Sequence, residues 1–196
     1  MLMPPRFDDP AWLDAQYNNR ARVADAMTQL AKWAEASALV RQRSARQMLD
    51  LRYGDGPSET LDVFAAAAPN APVLIYIHGG YWRSLDQSDF SFIAPSFVAD
   101  GAMVVVPNYA LCPAVSVEDI ALQMVKAVAW TWRHAAAHGG NPDRIALVGH
   151  SAGAHLAAML LSCRWKQVDE ALPLQPLAGA LAISGLYDLE PIRRTE

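Results

Sequence analysis

The sequence predicts an α/β fold: a mostly parallel β-sheet with helices on both faces. Three observations carry this. Short apolar runs, PVLIYI at 72–77, AMVVV at 102–106 and RIALV at 144–148, alternate with helical stretches. The runs are continuous instead of alternating, which is the pattern of strands buried on both faces. A hairpin precedes the repeating strand–helix units, and such units join parallel strands through right-handed crossovers.

Two helices open the chain. Asp9-Pro10 supplies an N-cap followed by proline at the first helical position, starting a helix over 11–18. A second helix runs from 20 to 43, with Val23, Met27, Leu30, Ala34 and Ala38 near helical spacing. The period then changes. Residues 45–53 and 59–65 read as two strands around Gly54-Asp55-Gly56-Pro57, a hairpin. After the strand at 72–77, a helix spans 88–99 and stops at Asp100-Gly101. The strand at 102–106 leads to a long helix over 116–138, ended by Gly139-Gly140. The strand at 144–148 is followed by a helix over 152–163, and LAGALAI at 177–183 is a last strand, buried on both faces by its composition.

No internal repeat, low-complexity tract or linker interrupts this series, so residues 1–196 form one domain, with helices over 1–44 and the core over 45–196. A hydrophobic content of 53% supports a sizeable core. The net charge of −4 is mixed along the chain, and the absence of a basic stripe argues against a nucleic-acid partner. Cys112 and Cys163 each sit in an apolar stretch and read as buried, reduced thiols. The opening MLMPPRFDD lacks the basic-then-apolar plan of a secretion signal, and no apolar run reaches the roughly 18 residues of a membrane span. A cytoplasmic protein without membrane contact is expected.

Gly149-His150-Ser151-Ala152-Gly153 is a G-x-S-x-G sequence, and its context makes it specific. It directly follows the strand at 144–148 and directly precedes a helix of small residues. That placement is a nucleophile elbow: the serine sits on a tight, strained strand-to-helix turn, and flanking glycines let neighbouring backbone approach. The turn lifts the Ser151 hydroxyl above the carboxyl edge of the sheet, beside a helix N-terminus that favours developing negative charge.

His78-Gly79-Gly80-Tyr81-Trp82 follows the strand at 72–77. Acyl transfer builds an oxyanion, which needs preorganised N–H donors. Two adjacent glycines let backbone come close to a substrate carbonyl. The oxyanion hole is assigned to the N–H groups of Gly79 and Gly80, with that of Ala152, the residue after the nucleophile. The other histidines carry less. His150 lies on the elbow itself, with poor geometry for its neighbour's base, and His155 sits one turn into the helix, as a packing or substrate-contact residue. His134 and His138 end a helix, where a cation suits the dipole. Their spacing offers no third metal ligand, and Trp130 and Trp132 read as helix packing. There is neither G-x-G-x-x-G nor G-x-x-x-x-G-K, so nucleotide-binding folds lose ground.

Both motifs, in this order, resemble the esterase, lipase and formamidase branch of the α/β-hydrolase fold. More narrowly, HGGYW, GHSAGAHL at 149–156 and SGLYDLEP at 184–191 look like kynurenine formamidase (arylformamidase) and related bacterial esterases. LDAQYNNR at 13–20 is similar to the N-terminal helices of that group, part of a cap over the site. The resemblance covers nearly the whole chain. It implies a serine mechanism with neither metal nor cofactor, acting on a small ester or formamide. Ser151 attacks the carbonyl, Gly79, Gly80 and Ala152 hold the oxyanion, and water releases the acyl-enzyme. Tyr81 and Trp82 form an aromatic wall suited to an aryl substrate, or they pack.

The chain departs from the family at one point. The family's triad runs Ser, then Asp or Glu, then His, yet all five histidines lie at 78, 134, 138, 150 and 155, none downstream of the elbow helix. Asp188 follows the last strand, one strand earlier than the family's acid. As the last strand, residues 177–183 would leave an open apolar edge. The chain therefore reads as truncated by roughly a third of such a domain. Three readings follow: the N-terminal part of a serine esterase or formamidase, a catalytically incomplete binding module, or a hydrolase completed by a partner chain. A homo-oligomer is also left open.

Overall fold

The computed structural model describes residues 7–195. The first six residues, which hold most of the expectation about a missing secretion signal, lie outside them. Helices α1 (Pro10–Tyr17), α2 (Asn19–Arg22) and α3 (Ala26–Arg43) lead to strands β1 (Gln47–Arg52), β2 (Thr60–Phe64) and β3 (Ala71–Ile77). A 3-10 helix (Gln87–Ile93) and α4 (Ala94–Ala99) then precede β4 (Met103–Pro107). Next come α5 (Val117–His134), a 3-10 turn (Ala135–His138), β5 (Gly140–His150), α6 (Ala152–Leu161), α7 (Trp165–Val168), β6 (Leu177–Ile183) and α8 (Glu190–Arg193).

The six strands form one sheet in the order β1-β2-β4-β3-β5-β6. β1 and β2 form the antiparallel hairpin, β2 pairs antiparallel with β4, and β4, β3, β5 and β6 run parallel. Side chains alternate between the two faces, as a pleated strand requires. Val73, Ile75, Ile77, Met103, Val105, Ile145 and Leu147 pack under α5 and α6 through Ile120, Met124, Val128 and Leu156. Leu74, Val104 and Val106 pack on the other face with Phe90 and Ala94, and Trp33 and Val40 of α3 lean on them. Helices thus cover both faces, as the apolar runs require.

Four local expectations change. The helix read over 20–43 breaks at Val23, which is extended (φ −110°, ψ 109°) and closes a turn with the Ala26 N–H. The break frees α3 to dock separately: Ser37 Oγ accepts from the Phe92 N–H at 3.1 Å, Trp33 stacks on Phe92, and Arg41 pairs with buried Asp62. The segment 88–99 is a 3-10 helix followed by α4, because Pro95 has no N–H to continue an α-helical ladder. α7 and α8, four residues each, are additional. Finally, β6 is not buried on both faces. It pairs only with β5, and Leu181 and Ile183 are 59% and 42% exposed, since no described helix covers them at that edge.

Candidate active site

A single residue, Ser151, separates β5 from α6, and it adopts φ 56°, ψ −118°. This backbone conformation is one that residues with a Cβ avoid, and it persists only where surrounding packing enforces it. The two elbow glycines make the enforcement possible. A Cβ on Gly149 would fall on the Gly153 carbonyl, and one on Gly153 would fall on the Ile77 and His78 carbonyls. α6 therefore starts in direct contact with the end of β3. The Ser151 N–H donates to Ile183 O at 2.8 Å, tying the elbow to β6.

The glycine loop leaves β3 at the same sheet edge. A Cβ on Gly79 would lie 2.8 Å from His150 O and 3.2 Å from Ser151 Cβ, so only glycine brings this backbone so near the serine. Gly80 has φ +124°, and Tyr81, Trp82 and Leu85 also have positive φ, so the loop turns back on itself. Its carbonyls face rearward. Gly79 O accepts from His78 Nδ1 at 2.7 Å, and Gly80 O accepts from Ser84 Oγ at 2.8 Å and from the Arg83 N–H at 3.1 Å. Among the described residues, neither Gly79 nor Gly80 donates its own N–H to backbone in a turn or loop. Ala152 is the first residue of α6, where an N–H has no partner within the helix.

A cavity of about 640 Å³ opens over these groups. Ser151, His150, Gly79, Gly80 and Tyr81 line its floor. Helices α1, α2 and α3 add Tyr17, Arg20, Leu30 and Trp33 to its wall. Asp14, Arg20 and Arg83 bring charge to an otherwise mixed aromatic and amide wall, and the Arg83 guanidinium stands 5.1 Å from the Tyr81 ring centre. A second cavity, of about 430 Å³, lies at the opposite end of the sheet around Met48, Ala66 and Gly139.

The structure thus gathers Ser151, Gly79, Gly80, Ala152 and Tyr81 at one edge. Trp82 contacts the Tyr81 ring, at 5.8 Å between centres, but stands outside the cavity wall: its indole is 3% exposed and packs edge-on against His155 at 5.3 Å. Burial pushes the pKa values of His150 and His155 down, so both imidazoles favour the neutral form. His78 Nδ1 pairs with Gly79 O at 2.7 Å and His134 Nδ1 with Trp130 O at 2.7 Å. Asp188 is exposed, and its carboxylate accepts the Glu190 N–H at the start of α8. No group of three His, Cys, Asp or Glu side chains able to hold a metal occurs among the described residues.

Several residues at the site had no signal in the sequence pattern. Leu30 and Trp33 reach it only through the docking of α3. Phe90, His78 and Tyr109 form a stack behind the glycine loop, with ring centres 5.4 and 4.2 Å apart and planes within 11°. Tyr109 lies two residues past β4, where nothing in the local sequence marks it.

The sheet order, the strained elbow and the glycine loop mark a chain of the α/β-hydrolase fold class. Within that class, the chain belongs to the BD-FAE family, whose pattern matches residues 61–175. It is 38% identical over 162 residues to kynurenine formamidase of Danio rerio, covering 81% of this chain and 53% of that protein. It spans about half the length of the curated relatives it matches. A candidate thioesterase of Silicibacter sp. superposes with a TM-score of 0.80 at 33% identity, covering 94% of this chain and 67% of the other. Esterase B of Lactobacillus rhamnosis shares the fold at a TM-score of 0.60 and 21% identity, over 79% and 56% of the two chains. No described helix is long and apolar enough to cross a membrane.

Proposed function

We propose that this protein is a serine hydrolase that cleaves a small carboxylic ester or aryl formamide through an acyl-enzyme on Ser151. The observation that carries this reading is the strained Ser151 at the β5–α6 turn, on the floor of a cavity and against Gly79. The Ser151 hydroxyl attacks the substrate carbonyl carbon, and the carbonyl oxygen takes up the negative charge. The uncommitted N–H groups of Gly79, Gly80 and Ala152 and the N-terminus of α6 stabilise that charge. The tetrahedral intermediate collapses, the alcohol or arylamine leaves with a proton, and water releases the acid.

The kynurenine formamidases among the relatives support the formamide, and the aromatic wall of Tyr17, Trp33 and Tyr81 suits an aryl leaving group. Attack requires a base to take the Ser151 proton. In this reading the histidine and its acid come from outside residues 7–195, in sequence corresponding to the part of the relatives that this chain does not span, or from a complementing chain.

Intact-mass measurement before and after treatment with a fluorophosphonate tests the nucleophile, on this chain together with the sequence or chain that supplies the histidine and acid, with Ser151→Ala as control. One adduct that disappears in the variant is expected. An unmodified chain under conditions that label an active serine esterase would overturn the reading and leave a catalytically silent binding fold. Turnover of p-nitrophenyl acetate against an N-formyl arylamine then separates ester from formamide chemistry.

A further inference from the structure

We propose that Tyr109 is a positioning residue for the oxyanion hole, its hydroxyl holding from behind the backbone that aims the Gly79 and Gly80 N–H groups. This rests on the proposed role of those N–H groups. In a planar trans peptide, the carbonyl of one residue and the N–H of the next point in opposite directions. Whatever grips the His78 carbonyl therefore sets the direction of the Gly79 N–H, and whatever grips the Gly79 carbonyl sets that of Gly80.

Tyr109 Oη donates to His78 O at 2.8 Å and lies 3.4 Å from Gly79 O. A phenol has one proton, so the shorter contact is the principal bond and the longer a weak second branch. The Gly79 carbonyl is held mainly by His78 Nδ1 at 2.7 Å. Two rear donors thus serve two forward donors, one peptide each.

The grip is rigid because of where the sheet puts it. β4 and β3 are parallel neighbours, so the residues just past their ends, Tyr109 and His78, meet. The Tyr109 ring is 1% exposed and lies flat on His78 at 4.2 Å, with an interplanar angle of 9°. The Gln123 side chain accepts the Ala110 N–H at 2.8 Å and pins the following residue. Burial raises the phenol pKa far above its ordinary value, so the hydroxyl stays a donor throughout the working range.

The test compares Tyr109→Phe with Thr131→Val. Thr131 is also buried and also donates to a backbone carbonyl, Ala127 O at 2.8 Å, within α5, and touches neither Tyr109 nor a peptide of the glycine loop. Both variants lose one buried hydrogen bond and should melt lower by similar amounts. Only Tyr109→Phe should slow the maximal rate of fluorophosphonate inactivation at Ser151, by about 10-fold or more, with the half-saturating concentration unchanged. Only Tyr109→Phe should also shift or broaden the Gly79 and Gly80 amide resonances. Equal inactivation rates in the two variants, with unmoved glycine amides, would overturn the proposal. If the unaltered protein is not labelled at all, the nucleophile reading fails instead, and the glycine amides still decide whether Tyr109 sets the loop.

Discussion

Arg20 of α2 donates from Nη2 to Ser84 Oγ at 2.7 Å, and the same Ser84 Oγ donates to Gly80 O at 2.8 Å. Two hydrogen bonds therefore link α2 to the glycine loop of the floor, across a sequence separation of more than sixty residues. Arg20 is exposed, so the first bond is weak, worth under about 1 kcal/mol. Arg20→Ala should lower the melting temperature by no more than about 4 °C. It should nonetheless speed proteolytic cleavage between α1 and α3 severalfold. Cleavage as slow as in the unaltered protein would mean that α1 and α3 hold α2 in place without this bond.

At the elbow, Gly153→Ala would drive a Cβ into the Ile77 and His78 carbonyls. Backbone cannot move aside there without parting α6 from β3, so a loss of about 3 kcal/mol or more is expected in urea denaturation. Gly179→Ala in β6 is the contrast, since its Cβ meets nothing within 4 Å, and stability should stay within about 0.5 kcal/mol. Equal costs at the two positions would show that the tight approach at Gly153 does not constrain the fold.

Burial first of all pushes the His78 pKa below its ordinary 6.5, so the folded state holds this ring neutral while the unfolded chain takes up a proton in acid. Stability from this group is present above about pH 6.5 and falls as the pH drops through that value, by up to about 1.4 kcal/mol per pH unit. The difference in unfolding free energy between the unaltered protein and His78→Phe should therefore shrink from pH 7.5 to pH 5. A constant difference would mean that His78 titrates alike folded and unfolded.

Glu59 behaves oppositely in origin but with the same sign. Its burial favours the neutral acid, yet the Lys126 ammonium at 2.7 Å and the Gly56 N–H at 2.8 Å outweigh that and hold its pKa below 4.5. The stabilisation is present above pH 4.5 and is lost as the pH falls through the folded value. Glu59→Gln should cost about 1–2 kcal/mol at pH 7 and little at pH 3, measured by denaturant titration at both. An equal cost at both would assign the effect to packing alone.

Much of this was legible along the chain. The elbow could be read because its requirements are local: a buried strand, glycines at 149 and 153 and a small-residue helix, within one turn of Ser151. The glycine loop was legible for the same reason, as Gly79 and Gly80 follow directly from β3. Strand and helix order followed from composition and period. Local pattern failed where another part of the molecule decided the outcome. The break at Val23 suits the docking of Ser37 on Phe92, and Trp82 left the expected substrate wall because its indole packs against His155.

The sequence by itself determined the α/β class, the antiparallel hairpin, the parallel strands and the identity of the elbow serine, because each depends on neighbours a few residues apart. Tertiary structure alone decided what surrounds that serine. Tyr109 meets His78 because parallel β4 and β3 end side by side, and Arg20 meets Ser84 because α2 lies over the loop. Such contacts have no period or spacing in one dimension. They arise from strand order and helix docking, where burial of apolar faces, and not local conformational preference, sets the geometry.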